Sequence, residues 1–109
     1  MKQYEIYGFK CSTLEEILEL LQEVLGISFS ERESGYYAGN YFLYKLSTGK
    51  ELRLYRNYDV SRKQWVRSQY QDYGVLMEVS DLDNMDEIRS RLEIRVPQAV
   101  LLSSKVLPS

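Results

Sequence analysis

Hydrophobic and polar residues alternate at the start of the chain. Over residues 2–9, Tyr4, Ile6 and Gly8 share one side while Gln3, Glu5 and Tyr7 share the other, which predicts a strand. The period then changes. Leu14, Ile17, Leu18, Leu21, Val24 and Leu25 recur at helical spacing, with Glu15, Glu16, Glu19, Gln22 and Glu23 on the other side. Ser12 with Glu15 three residues on reads as a capping box, and Gly26 suits a left-handed helix end. The spacing predicts a helix over residues 13–25.

Residues 27–33 alternate again and read as a short strand, interrupted by turn formers at Ser34-Gly35 and Ala38-Gly39-Asn40. Residues 41–46 and 52–55 read as a hairpin around Ser47-Thr48-Gly49-Lys50. In it Phe42, Tyr44 and Leu46 face the core with Leu52 and Leu54. Residues 57–72 are polar and read as a long irregular excursion with room for a short helical turn. The apolar run Val75, Leu76, Met77, Val79 fits a central strand over residues 73–79. After a turn at residues 81–84, Met85, Ile88 and Leu92 mark a shorter helix. Pro97 ends it, and residues 99–102, extendable to Val106, form a last strand.

The order β-α-β-β-β-β-α-β predicts one α+β domain, residues 1–109. Its mainly antiparallel sheet has five or six strands, with two helices packed on one face. No internal repeat or linker marks a domain boundary.

Composition narrows the chemistry. The 109 residues include no histidine and one cysteine, Cys11. Ser-His-Asp and Cys-His mechanisms are therefore excluded, as are a zinc finger and an internal disulfide. Cys11 reads as a small buried thiol. No apolar run is long enough to span a membrane, and the polar, alternating start is unlike a signal peptide, so the expected location is cytoplasmic. Lys and Arg sum to 14 against 16 for Asp and Glu, a formal net charge of −2. That argues against a general nucleic-acid binder, although a local basic patch remains compatible with it.

Four features are candidates for function. The stretch from Glu31 and Glu33 through Gly35, Tyr36, Tyr37, Gly39 and Tyr41 packs carboxylates, turn-forming glycines and tyrosines together. It reads either as an exposed recognition loop or as a turn into a sheet with half-buried tyrosines. Eight of the ten tyrosines fall between Tyr36 and Tyr73, with Trp65 and several arginines among them. Tyr, Trp and Arg are the residue types that dominate protein interfaces, and they also fill cores and sheet flanks. Glu15, Glu16, Glu19 and Glu23 give the first helix an acidic side with no positive partner, either a solvated face or a surface that steers a basic protein. Asp81, Asp83, Asp86 and Glu87 are accounted for by the second helix's dipole. Finally, Arg62, Lys63, Trp65 and Arg67 could contact RNA phosphate and stack a base, though the chain lacks the aromatic signature of RNA-recognition strands. No residue set calls for a metal or other cofactor.

The stretch Arg32-Glu33-Ser34-Gly35-Tyr36-Tyr37-Ala38-Gly39-Asn40-Tyr41 resembles small bacterial immunity proteins of polymorphic toxin and contact-dependent inhibition systems. In these an R-E-S-x-Y-x-G-x-Y-like run follows the first helix. A strand ending in Asn comes next, here residues 52–57. A late apolar strand (residues 75–79), a short acidic helix (84–92) and a terminal Leu-Leu strand (100–102) complete the likeness. Gly35 stands where a second Ser is common and Asn40 where an acid is common. The resemblance implies a non-catalytic antitoxin that binds one cognate toxin domain, a basic one if it is a nuclease, and blocks it. With the residue reading it gives Glu33, Tyr36, Tyr37, Tyr41, Tyr58, Asp59 and Trp65 as expected contacts, and Glu15, Glu16, Glu19 and Glu23 as a secondary acidic patch. Neither membrane nor nucleic acid is a partner on this reading. The other reading is an RNA- or small-ligand-binding α+β domain that uses the same tyrosine-rich surface.

Overall fold

The strand predicted at the start of the chain is not an edge strand. In the computed structural model, which describes residues 1–10 and 13–108, it is threaded between two strands from the far end of the sequence. The elements are β1 (Lys2–Phe9), α1 (Leu14–Leu25), β2 (Ser30–Ser34), β3 (Gly39–Ser47), β4 (Lys50–Arg56), β5 (Tyr58–Asp59), β6 (Gln64–Trp65), β7 (Val75–Ser80), α2 (Met85–Arg95) and β8 (Val100–Leu107). Six strands form one antiparallel sheet in the order β2-β3-β4-β7-β1-β8, and β5 and β6 form a separate two-stranded ribbon. The α+β architecture is as predicted.

Because side chains alternate across a strand, each strand splits into two faces. Tyr7 and Phe9 of β1, Leu52 and Leu54 of β4, and Val75, Met77 and Val79 of β7 point to one face. There they meet Leu14, Ile17, Leu21, Val24 and Leu25 of α1 and Met85, Ile88 and Leu92 of α2 in a single buried cluster. The expected pairs form: Phe42 lies opposite Leu54 and Tyr44 opposite Leu52. Leu46 departs from expectation. It is the extra residue of a bulge between Lys45 and Ser47 and is exposed.

Glu5 also lies on the helix-covered face and is 1% exposed. A buried carboxylate is tolerable only with partners. Arg89 of α2 forms an ion pair with it, the Tyr7 hydroxyl donates to it at 3.0 Å, and Ser104 of β8 donates at 3.2 Å.

Four local expectations are corrected. Ser12 and Cys11 lie outside the described residues. The cap that the structure shows is Thr13, whose hydroxyl accepts from the Glu16 N–H at 3.2 Å and donates to the Glu16 carboxylate at 3.1 Å. The capping box is therefore Thr13–Glu16, one residue later than read. Gly26 ends α1 at φ 66°, as predicted. The second strand begins at Ser30 instead of Ile27, because Ile27 and Phe29 pack sideways onto the core and the Phe29 N–H is held by the Gln22 side chain. The excursion over residues 57–72 has the short helical turn expected of it, a 3-10 turn at Ser68–Tyr70, but also contains the unexpected β5–β6 ribbon. Finally, the acidic side of α1 does have a positive partner, since Arg56 of β4 pairs with Glu15. Among the described residues no helix is long and apolar enough to cross a membrane.

Candidate functional site

The face of the sheet away from the helices carries a different chemistry. Alternation puts Glu51, Arg53 and Tyr55 of β4 there, with Tyr41 and Leu43 of β3 and Leu76, Glu78 and Ser80 of β7. The register aligns Leu43, Arg53, Glu78 and Ile6 in one row across four strands. A charged row in the middle of a sheet needs cover and partners. Two segments supply them.

The first is the short 3-10 turn Gly35–Tyr37. The Ser34 hydroxyl accepts from the Tyr36 N–H at 3.2 Å, and Ala38 and Gly39 follow with φ of 61° and 98°. This hook folds Tyr37 back over the sheet. Its ring lies 4.8 Å from that of Tyr41, 5.0 Å from Tyr55 and 4.8 Å from Tyr36, centre to centre. Arg53 lies beneath, donating to the Tyr37 hydroxyl at 2.6 Å and to Glu51 at 2.6 Å. Burial pushes the Tyr37 hydroxyl pKa up, with the Arg53 charge opposing the rise.

The second segment is residues 57–73. Asn57 is fully buried, and its amide donates to the carbonyls of Arg67 (3.3 Å), Tyr70 (2.9 Å) and Tyr73 (3.1 Å) while accepting from the Arg67 N–H at 2.8 Å. Together with the backbone bonds from Asn57 N–H to the Gly74 carbonyl (2.9 Å) and from Val66 N–H to the Asn57 carbonyl (2.7 Å), this side chain closes the loop. The closure directs Arg67 inward. Its Nε donates to the Tyr55 hydroxyl at 3.1 Å and to Glu78 at 3.0 Å, and Tyr55 also donates to Glu78. Burial and the neighbouring Glu78 charge raise the Tyr55 hydroxyl pKa far above its ordinary value, so this tyrosine is always a donor.

The β5–β6 ribbon projects from the same loop. Tyr58 and Trp65 meet edge to face at 4.9 Å. Asp59, 8% exposed, accepts from the Ser61 N–H (3.1 Å), the Ser61 hydroxyl (2.8 Å) and the Arg62 N–H (3.2 Å). These bonds, the Ser61 hydroxyl first, hold its carboxyl below the usual range. The ribbon packs against the hook, and a Cβ at Gly35 would come within 2.7 Å of the Arg62 guanidinium. A cleft of about 170 Å³ lies between them, lined by Tyr36, Asp59, Arg62, Gln64 and Trp65. On the ribbon's other side a shallow groove of about 280 Å³ runs from Tyr58 and Val60 to Arg56 and Glu15.

The expected contact residues are thus distributed unevenly. Tyr36, Tyr37 and Tyr41 form one ring cluster at the β2–β3–β4 end, with Tyr36 70% exposed; Tyr58 and Trp65 form a second on the ribbon, of which Trp65 lines the cleft with Tyr36 while Tyr58 lines the groove beyond. Glu33 is exposed on the neighbouring edge strand, opposite Asn40. Asp59 lines the cleft but spends its carboxylate on the ribbon's own turn. Of the acidic set, Glu15 reaches the groove beside Tyr58, while Glu16 serves the cap, and Glu19 and Glu23 are exposed further along α1. The basic loop splits: Arg67 turns into the sheet, and Arg62 lies against the hook with its Nε 3.9 Å from Asp59. Arg53, Tyr55, Asn57 and Glu78, which hold the surface in place, were missed by the sequence reading. Three of them leave a trace. Arg53 and Tyr55 alternate with Leu52 and Leu54, and Glu78 is the one charge in an apolar strand.

No protein-family model matches the chain, and no curated protein sequence matches it.

Proposed function

We propose that this chain is an immunity protein that binds and occludes a cognate toxin domain by stoichiometric protein–protein contact. The observation that carries the reading is two adjoining aromatic clusters, Tyr36, Tyr37 and Tyr41 on the hook and sheet and Tyr58 with Trp65 on the ribbon, joined by the cleft that Tyr36 and Trp65 line. Their rings are oriented before any partner arrives, by Arg53 from below and by the Asn57-closed loop at the side. Rigid tyrosine and tryptophan side chains give contact area at small entropic cost, and fixing them in advance lowers that cost further. The cleft beside Tyr36 is of a size to take one partner side chain. Inward use of Arg67 leaves the loop poorly suited to track a phosphate backbone, which favours a protein partner over RNA. Glu33 on the edge strand suits a partner with basic groups at its rim.

The test is titration calorimetry against the product of the neighbouring reading frame, expected on this reading to be a toxin domain. A one-to-one complex is expected. Ala substitution of Tyr36, Tyr37 or Tyr58 should each weaken it by more than about 1 kcal/mol. Unchanged affinity in all three variants would sink this interface.

A further inference from the structure

The two edges of the sheet differ. β2 is short and reads Ser-Glu-Arg-Glu-Ser, with Glu31, Arg32 and Glu33 all exposed, a charged edge of the kind that repels another strand. β8 is eight residues long and reads Val-Leu-Leu-Ser-Ser-Lys-Val-Leu. Val100, Leu101, Val106 and Leu107 are 40%, 40%, 55% and 48% exposed. This long apolar edge has one charge, Lys105, and one bulge.

The bulge reveals a symmetry. Against β1, Tyr7 pairs with Leu101 and Ile6 with Ser103, so Leu102 is the extra residue. The seven remaining positions are Val100, Leu101, Ser103, Ser104, Lys105, Val106 and Leu107. Their pattern of apolar and polar residues, though not the residues themselves, is the same in both directions about Ser104. Their faces match too. Val100, Ser103, Lys105 and Leu107 pair with Gly8, Ile6, Tyr4 and Lys2 on one face, while Leu101, Ser104 and Val106 pair with Tyr7, Glu5 and Gln3 on the other.

We infer that β8 is a homodimer interface, in which two copies pair antiparallel with Ser104 opposite Ser104 and join their sheets into one of twelve strands. In that register Val100 faces the partner's Leu107, and Leu101 faces the partner's Val106. Each exposed apolar side chain gains an apolar cross-strand neighbour on its own face. Lys105 faces the partner's Ser103. Neighbouring registers fail. A shift of one position pairs residues from opposite faces. Centring on Lys105 sets two ammonium groups together, and centring on Ser103 leaves Val106 and Leu107 without partners. The lysine and the bulge therefore act as a register key, excluding other strands while admitting this one. The tyrosine surface lies at the opposite end of the sheet, so both copies keep it free. The inference does not depend on what that surface binds.

The experiment is sedimentation velocity of the full chain in reductant, from micromolar to millimolar concentration. A species of twice the 12.9 kDa chain mass is expected, growing with concentration. The double variant Leu101→Lys, Val106→Lys should be monomeric, as should Leu101→Glu, Val106→Glu, because each sets like charges opposite one another. Mixing the two should restore the dimer. Ser103→Glu, facing Lys105 of the second copy, should tighten it, a readout that does not rely on the double variants folding. A parent chain monomeric throughout overturns the inference, as does a dimer that Ser103→Glu fails to tighten or that persists in both double variants. A monomer whose Lys variant loses toxin binding assigns the edge to a partner's strand and equally overturns it.

Discussion

Arg53 holds Tyr37 at two points: its guanidinium carbon lies 4.7 Å from the ring centre, and its Nη1 donates to the hydroxyl of the same residue at 2.6 Å. Only a planar fork reaches both while its other arm grips Glu51. The two residues should therefore be coupled. A double-mutant cycle with Tyr37→Phe and Arg53→Met, read by urea unfolding, should give a coupling energy of about 1 kcal/mol. A value near zero would show that Tyr37 keeps its place without the arginine.

Asn57 is predicted to be the most sensitive polar residue. Asn57→Ala removes the donor to three carbonyls and the acceptor for Arg67 N–H in a dry site. It should cost about 3 kcal/mol, roughly 15 °C in Tm, by thermal unfolding. Asn57→Asp should be no better, since a carboxylate would face carbonyl oxygens. Near-parent stability in either variant would show that the loop is closed by something else.

The ribbon should loosen in acid. The Asp59 carboxyl sits below its ordinary pKa because the Ser61 hydroxyl and the N–H groups of Arg62 and Ser61 favour the charged form. The folded state therefore binds its proton less readily than the unfolded chain. The stabilisation is complete above the ordinary carboxylate pKa and is lost as pH falls through the depressed one. Trp65, the chain's one tryptophan, lies on this ribbon and reports it. Its emission should shift on acidification before the circular dichroism changes, and Asp59→Asn should remove that early step. Coincident transitions in parent and variant would count against it.

Alkali acts on the helix-covered face. Burial, with the nearby Glu93 charge, pushes the Tyr7 hydroxyl from 10.0 up to about 12. The folded state holds this proton longer than the unfolded chain, so the contribution is present below pH 10 and declines as pH rises toward about 12. Tyr7→Phe should cost about 1 kcal/mol at neutral pH, through the bond lost to Glu5, and flatten the alkaline limb of a stability profile. A limb as steep as the parent's would place the titrating group elsewhere.

Periodicity made most of the fold legible, because burying one face of a strand or helix writes its period into the sequence. The alternation of Phe42 and Tyr44 with Leu52 and Leu54 opposite is such a case. The cap was less legible. Ser12 with Glu15 and Thr13 with Glu16 are equivalent patterns one residue apart, and local chemistry does not choose between them. The tyrosine concentration marked the end of the sheet that carries the ring clusters. Its support was hidden for a physical reason: Asn57 bonds to backbone groups of residues 67, 70 and 73, and backbone carbonyls have no letter in the sequence. Asp59 misled in the opposite direction, since an acid beside aromatics looks available until its turn is seen.

The position of β1 has a consequence for synthesis. Its neighbours are β7 and β8, so β1 pairs only with segments made some seventy to a hundred positions later. Strands β2 to β4 are contiguous in sequence and can assemble early, while β1 waits as an unpartnered strand until β7 has emerged. A stop codon or ribosome stall just before β8 would yield a polypeptide with the tyrosine cluster encoded and one edge of β1 left without its hydrogen-bonded neighbour.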